Sequence, residues 1–372
     1  MAPRTTPPFR ADHVGSLLRP QGLLDARARQ AAGEITADEL RAAEDDAVRE
    51  VIAMQRDVGL LSATDGEFRR ASWHMDFIYQ LGGVTKVAES ITVKFHSAEG
   101  DIEFTPSGLR VVDKLSVDEP IFGDDFAFVR DHAVGATAKL TIPSPSMVHY
   151  RGGRAAIEPG VYADDDAFWD DLSAAYRAEL HGLAALGCTY LQLDDTSLAY
   201  LNDPHQREQL TGRGEDAEHQ HLRYIGQINA AIADRPESMA VTTHLCRGNF
   251  RSSWAAEGSY DFVAEALFGE LAVDGFFLEY DDDRSGGFEP LRFVPPDKYV
   301  VLGLVTTKRG ALERKNDLKR RIDEAARYVP LEQLCLSPQC GFSSTVEGNA
   351  ITYDDQVAKL RLVVETAGEV WG

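Results

Sequence analysis

Short apolar runs recur along the chain, and each breaks abruptly into polar residues. Ala138-Lys139-Leu140-Thr141-Ile142 runs into Pro143-Ser144-Pro145, and Tyr190-Leu191-Gln192-Leu193 into Asp194-Asp195. Met239-Ala240-Val241-Thr242 leads to Thr243-His244-Leu245-Cys246, and Gly275-Phe276-Phe277-Leu278 to Glu279. The run from Tyr299 to Val305 ends in Thr306-Thr307-Lys308, and Leu334-Cys335-Leu336 ends in Ser337-Pro338-Gln339-Cys340. Such runs predict buried strands. Between them, apolar residues at helical spacing predict helices near 165–186, 206–233, 256–271, 310–328 and 353–370, and one or two more within 21–57. With the extended segment Phe9–Pro20 and the apolar stretch at 60–64, the strands number eight. Strand–helix alternation of this kind predicts an α/β fold, a (β/α)8 TIM barrel, as one catalytic domain over 1–372. An open doubly wound sheet is disfavoured, because no Gly-x-Gly-x-x-Gly follows a strand.

One stretch breaks the rhythm. From Val84 to about His132, β-branched residues alternate, as in Ile91-Thr92-Val93-Lys94-Phe95 and Leu109-Arg110-Val111-Val112. This predicts a β-rich insertion at about 84–132. Aromatic-rich residues 68–82 predict a short helix before it.

Charge and composition narrow the partners. The chain has 372 residues, 44% of them hydrophobic, enough for a large core. Its 38 Lys and Arg against 60 Asp and Glu give a formal charge of −22, which argues against nucleic acid and anionic membrane surfaces. Four cysteines in this length make no disulfide framework and suit a reducing cytosol, so the expected location is cytoplasmic. No run is long enough to span a membrane, and Pro- and Thr-rich Met1 to Pro8 has no apolar segment behind it.

In barrels of this kind, chemistry sits where the strands end. The polar residues at those ends are Ser16, Asp65, Glu67, Ser144, Asp194, Asp195, His244, Cys246, Glu279, Lys308 and Cys340. Two of the four cysteines lie there beside a histidine. His244 and Cys246, two apart on a strand, face the same way. With Glu279 and Cys340 they form a donor set suited to Zn²⁺, which accepts imidazole, thiolate and carboxylate in a tetrahedron. Two thiolates and a carboxylate around a dication leave one net negative charge. That makes a poor Lewis acid for hydrolysis but a good place to hold a substrate thiol as thiolate, with Glu279 the ligand most easily displaced. Cys335, inside an apolar strand, and Cys188, after Gly187, are expected in the core.

The pieces VGSLLRP at 14–20, TDGEFRR at 64–70, LQLDD at 191–195, THLCRGNF at 243–250, FLEYD at 277–281 and LCLSPQCGF at 334–342 together resemble the cobalamin-independent methionine synthase family. The match is to its short members, equivalent to the C-terminal catalytic barrel. The resemblance implies transfer of a methyl group from a methylated folate to the thiol of zinc-bound homocysteine, giving methionine. It places the zinc ligands on His244, Cys246, Glu279 and Cys340. It assigns Ser16 to the amino-acid carboxylate and Glu67 and Asp194 to the ammonium. Two positions depart from the family. Its histidine after the seventh strand is missing, and Lys308 is the nearest candidate proton source. Its tryptophan after the third strand is missing, and His149 and Tyr150 are the candidates for the donor's ring. Another methyl carrier, such as a methylated corrinoid, is the alternative donor. Alkyl transfer to a different thiol, of the epoxide–thiol transferase type, is the alternative reaction. A sulfonated thiol would need a cation where Glu67 and Asp194 stand.

Overall fold

A computed structural model of the chain describes residues 4–88, 92–97, 100–105, 108–150 and 152–372. Its strands are, in chain order, β1 (Ser62–Ala63), β2 (Gly82–Val87), β3 (Val93–Ser97), β4 (Gly100–Phe104), β5 (Gly108–Ser116), β6 (Thr137–Ala138), β7 (Leu140–Pro143), β8 (Tyr190–Asp195), β9 (Ala240–Leu245), β10 (Gly275–Glu279), β11 (Tyr299–Val305) and β12 (Leu334–Pro338). Strands β7 to β12 lie side by side in chain order, all parallel. β1 pairs in parallel with β6, which Lys139 alone separates from β7. The first segment completes the circuit. Asp12 N donates to Leu336 O at 3.0 Å and Leu336 N to Arg10 O at 2.9 Å on one side. On the other, Leu17 N donates to Gly66 O at 3.1 Å and Thr64 Oγ1 to Gly15 O at 2.7 Å. The architecture is a TIM-type barrel.

Burial on both faces explains the near-continuous apolar strands. Inside the barrel, Val14, Phe277, Val301 and Cys335 pack as a small apolar plug. Cys188 lies in the larger core between strands and helices. A charge pair is buried beside the plug. Lys139 Nζ donates to His13 O at 2.5 Å and pairs with Asp12 at 3.4 Å, while Ser62 and Tyr190 hydroxyls also donate to Asp12. A fully buried ammonium is tolerated only with such partners.

The outer helices begin at side-chain caps. Thr36 with Glu39 and Thr352 with Asp355 form capping boxes for Ala37–Asp57 and Tyr353–Trp371, and Asp164 caps Asp165–Ala185. Three helices expected from spacing are shorter or divided. The stretch 206–233 splits into Pro204–Gly212 and Gln220–Ile232, because Gly214 takes a positive φ of 83°. Within 256–271 only Ala264–Glu270 is α-helical, and within 310–328 only Lys315–Ala325.

The insertion is β-rich over its first two thirds. β2 pairs antiparallel with β5, and β3 with β4. Its end differs from the expectation: Gly123–His132 is a helix. Phe122, Phe126 and Val129, at helical spacing, bury its inner face. Ile91 lies outside the described residues.

Candidate metal centre and its cavity

Three strand ends, those of β9, β10 and β12, bring His244, Cys246, Glu279 and Cys340 together. His244 sits on β9 opposite Asp194 of β8 and Phe277 of β10, so Glu279 follows two residues further along the next strand. Asn249 Nδ2 donates to Gly341 O at 2.9 Å, tying the loop after β9 to the one after β12. One ligand atom from each of the four side chains lies within 4.8 Å of the others. The Cys246 and Cys340 sulfurs are 3.5 Å apart, and His244 Nε2 is 3.5 Å from Glu279 Oε1. Tetrahedral bonds to zinc of about 2.0–2.3 Å put ligand atoms roughly 3.3–3.8 Å apart, so two of the spacings already suit an ion.

The local electrostatics fit a cation at this point. His244 and Glu279 are buried, and both His244 ring nitrogens and Glu279 Oε1 lack a hydrogen-bond partner. Burial pulls the His244 imidazole down to about 3, helped by Lys139. Burial also pushes Glu279 up to about 7. The Cys246 thiol is pushed well up, by its hydrogen bond with Cys340 and then by burial. All three shifts favour neutral forms, the response of buried groups without enough countercharge to offset desolvation. A divalent cation would supply that charge and favour the ligating forms. Glu279 is backed by Tyr260, whose hydroxyl accepts from Glu279 N at 3.0 Å and whose ring lies 4.5 Å from the Arg247 guanidinium.

A cavity of about 290 Å³ opens over three of the four residues. His244, Cys246 and Cys340 line it, together with Ser16, Glu67 and Asp194. Glu67 is held in an uncommon backbone conformation, φ 61°, after Gly66. Thr141 Oγ1 donates to Glu67 Oε1 at 2.8 Å and Arg70 lies 3.5 Å from the same oxygen, while Oε2 has no partner. Gln192 Nε2 donates to Asp194 Oδ1 at 2.6 Å. Burial raises the pKa of both acids, and the proximity of Glu67 raises Asp194 further. Ser16 packs so tightly on Gly341 that a Cβ there would lie 1.8 Å from Ser16 Oγ.

Three expected site residues are not among those lining this cavity. Lys308 is held by Asp281, two residues beyond Glu279, at 3.2 Å. His149 and Tyr150 lie on the short helix Ser146–Tyr150, which turns them into the core. The His149 ring packs against Trp169 at 4.9 Å, and its Nδ1 is 3.1 Å from the Tyr224 hydroxyl. Burial lowers its pKa to about 4. Tyr150 sits edge-on behind Tyr200, which does line the cavity.

Several lining residues were not picked out from the sequence: Trp73 and His74, Phe95 and Phe104 of the insertion, and Phe250. The aromatic density at 68–82 and the alternation around Phe95 were the available signals.

The catalytic-domain model of the cobalamin-independent synthases matches residues 11–369, and the chain belongs to that family. It is 47% identical to the uncharacterized protein YxjG of Bacillus subtilis over 370 residues, 99% of this chain and 96% of that one. It is 23% identical to a methionine synthase of Pyrococcus abyssi over 331 residues, 88% of this chain and 84% of that one. The crystal structure of a putative vitamin-B12 independent methionine synthase from Listeria monocytogenes has a TM-score of 0.78 and 39% identity, covering 99% of both chains.

Proposed function

We propose that the chain is a zinc-dependent methyltransferase that moves a methyl group from a methylated folate-type donor to the thiol of homocysteine, giving methionine. The observation that carries this reading is one cavity containing both a thiol-binding donor set and an acid pair for an ammonium. Relatives named as methionine synthases support the reaction class. Zinc, held by His244, Cys246, Glu279 and Cys340, would keep the substrate sulfur as thiolate near neutral pH.

The chain's own residues do the rest. Glu67 Oε2 and Asp194 accept the ammonium, whose charge relieves the crowding of two buried carboxyls. Ser16 faces the substrate carboxylate. Phe95, Phe104 and Phe250 keep water from the reacting sulfur. The S–CH₃ bond forms as the donor's N–CH₃ bond breaks, and the departing nitrogen takes a proton. His74 is placed to give that proton: it lines the cavity, with Nδ1 3.2 Å from Ser72 Oγ. Lys308, engaged by Asp281 and not among the lining residues, is the less direct source. Alkyl transfer to a sulfonated thiol is the weaker alternative, since Glu67 and Asp194 would repel a sulfonate.

The test is methionine formation by zinc-loaded protein given homocysteine and 5-methyltetrahydrofolate. Zinc-dependent product is expected. Turnover of a different thiol, with none of homocysteine from any methyl donor, would replace this reading with the alternative.

A further inference from the structure

The cavity has an aromatic side that the barrel strands do not provide. Phe95 and Phe104 belong to the β3–β4 hairpin of the insertion, yet they line the same space as Cys246 and Cys340. The Phe104 ring stacks on Phe250 at 4.7 Å and 29°, and Phe95 lies 5.3 Å from Phe250. Phe250 follows Cys246 in the loop after β9. The hairpin is fastened to that loop by two backbone bonds, His96 N to Trp254 O at 2.6 Å and Trp254 N to His96 O at 2.9 Å. Trp73, half-buried, adds an indole to the lining and packs one face on His74 at 4.3 Å.

We infer that the methyl donor is received on this inserted side, between Trp73 and the wall of Phe95, Phe104 and Phe250, and that it is a flat heteroaromatic methyl carrier with a short anionic tail directed to Lys86. The inference rests on the proposed methyl transfer and adds the donor's place and the length of its tail. A flat ring gains dispersion and stacking from such a wall while asking for few polar partners. The loop after β7 offers no comparable surface, because His149 is enclosed by Trp169 and Tyr224 and Tyr150 stands behind Tyr200. The cavity's 290 Å³ is at the small end for a ligand site. It takes the amino acid and the reactive edge of the ring, and the remainder of the donor leaves past the rim.

Charge at the rim limits the tail. Lys86 is the one lysine or arginine among the described residues lining the cavity, and its Nζ sits 5.7 Å from the Tyr79 ring. Asp76 and Glu347 line the cavity too, and the whole chain carries −22. One carboxylate finds a partner there, while a chain of carboxylates meets repulsion.

Zinc-loaded protein titrated with 5-methyltetrahydrofolate, as mono- and triglutamate, tests this. Trp73→Leu and Phe104→Leu are expected to raise the donor Kd about three- to tenfold each, with zinc content and homocysteine Kd unchanged. Exposed Lys86→Met, which carries no folding risk, raises the monoglutamate Kd about two- to fivefold. Tyr150→Phe keeps the wild-type donor Kd. Wild-type protein binds the monoglutamate at least as tightly as the triglutamate, and a tighter triglutamate complex overturns the short tail. Donor affinity that survives both Trp73→Leu and Phe104→Leu, in variants with native circular dichroism, overturns the inference. So does a protein that binds zinc and homocysteine but no methylated folate, and this outcome leaves the thiol half of the proposed function standing. Loss of zinc and homocysteine binding in the wild type would remove the proposed function itself.

Discussion

Glu67→Gln separates substrate recognition from fold stability, because it should move them in opposite directions. In the structure, Glu67 Oε1 is occupied by Thr141 and Arg70, which leaves Oε2 as the oxygen facing an incoming ammonium. An amide keeps the volume and the Oε1 acceptor but presents an N–H₂ group, a donor, to another donor. Loss of a charge-assisted hydrogen bond costs about 1.5–3 kcal/mol, so homocysteine should bind roughly ten- to a hundredfold more weakly. Stability should rise instead. Glu67 and Asp194 both titrate above the ordinary carboxyl range in the folded chain, first because of burial. The folded protein therefore holds protons that the unfolded chain has already released. Its stability is fully present below the unfolded carboxyl pKa and falls as pH rises through the raised values. Replacing one acid by an amide removes part of that loss, so ligand-free Glu67→Gln should melt about 1–3 °C above wild type at pH 8. Calorimetric titration with homocysteine on zinc-loaded protein and a melting curve without substrate read the two effects. Unchanged homocysteine affinity would refute the ammonium site. A lower melting temperature would show that Glu67 is held as a favourable ion pair with Arg70.

Metal analysis should find one zinc per chain, and Cys246→Ser and Cys340→Ser should each lose most of it while keeping the fold, because the apolar cores of the barrel contain neither Cys246 nor Cys340. His74→Gln should lower kcat by about ten- to a hundredfold with little change in either KM, as loss of a general acid does; equal loss in KM would make His74 a binding residue instead. Glu179, pushed up to about 7 by burial, accepts from Ile121 N at 2.9 Å. Glu179→Gln keeps that acceptor, so it should melt above wild type at pH 8, and the gap should close as pH falls toward the unfolded carboxyl value.

The strand ends were legible because a barrel strand buried on both faces leaves a simple trace, an apolar run with a polar stop. That trace led to His244, Cys246, Glu279 and Cys340, and the structure brings those four together. Helix bounds were less legible: spacing carries through Arg213-Gly214, but the left-handed backbone of Gly214 ends the helix. The helix at Gly123–His132 was hidden because Phe122, Phe126 and Val129 follow a strongly alternating segment. The donor side was least legible. Whether His149 faces the cavity or the core depends on how one short helix turns after Pro145, and no periodicity encodes that. Phe95 and Phe104 reach the cavity only because a hairpin folds back on the loop after β9, a contact between segments about 150 residues apart in sequence.

The 3.5 Å between the Cys246 and Cys340 sulfurs has a practical consequence for anyone handling this protein. A disulfide needs about 2.05 Å between its sulfurs, so the two thiols are one small movement from bonding. Cys246 is also the partly accessible member of the four. Once stripped by a chelator, the pair can give up two electrons and two protons to dissolved oxygen or a small disulfide. The resulting bridge would lock out the ion afterwards. Demetallation in air should then become permanent until a thiol reductant is added, whereas the same chelation under nitrogen should reverse on adding zinc alone.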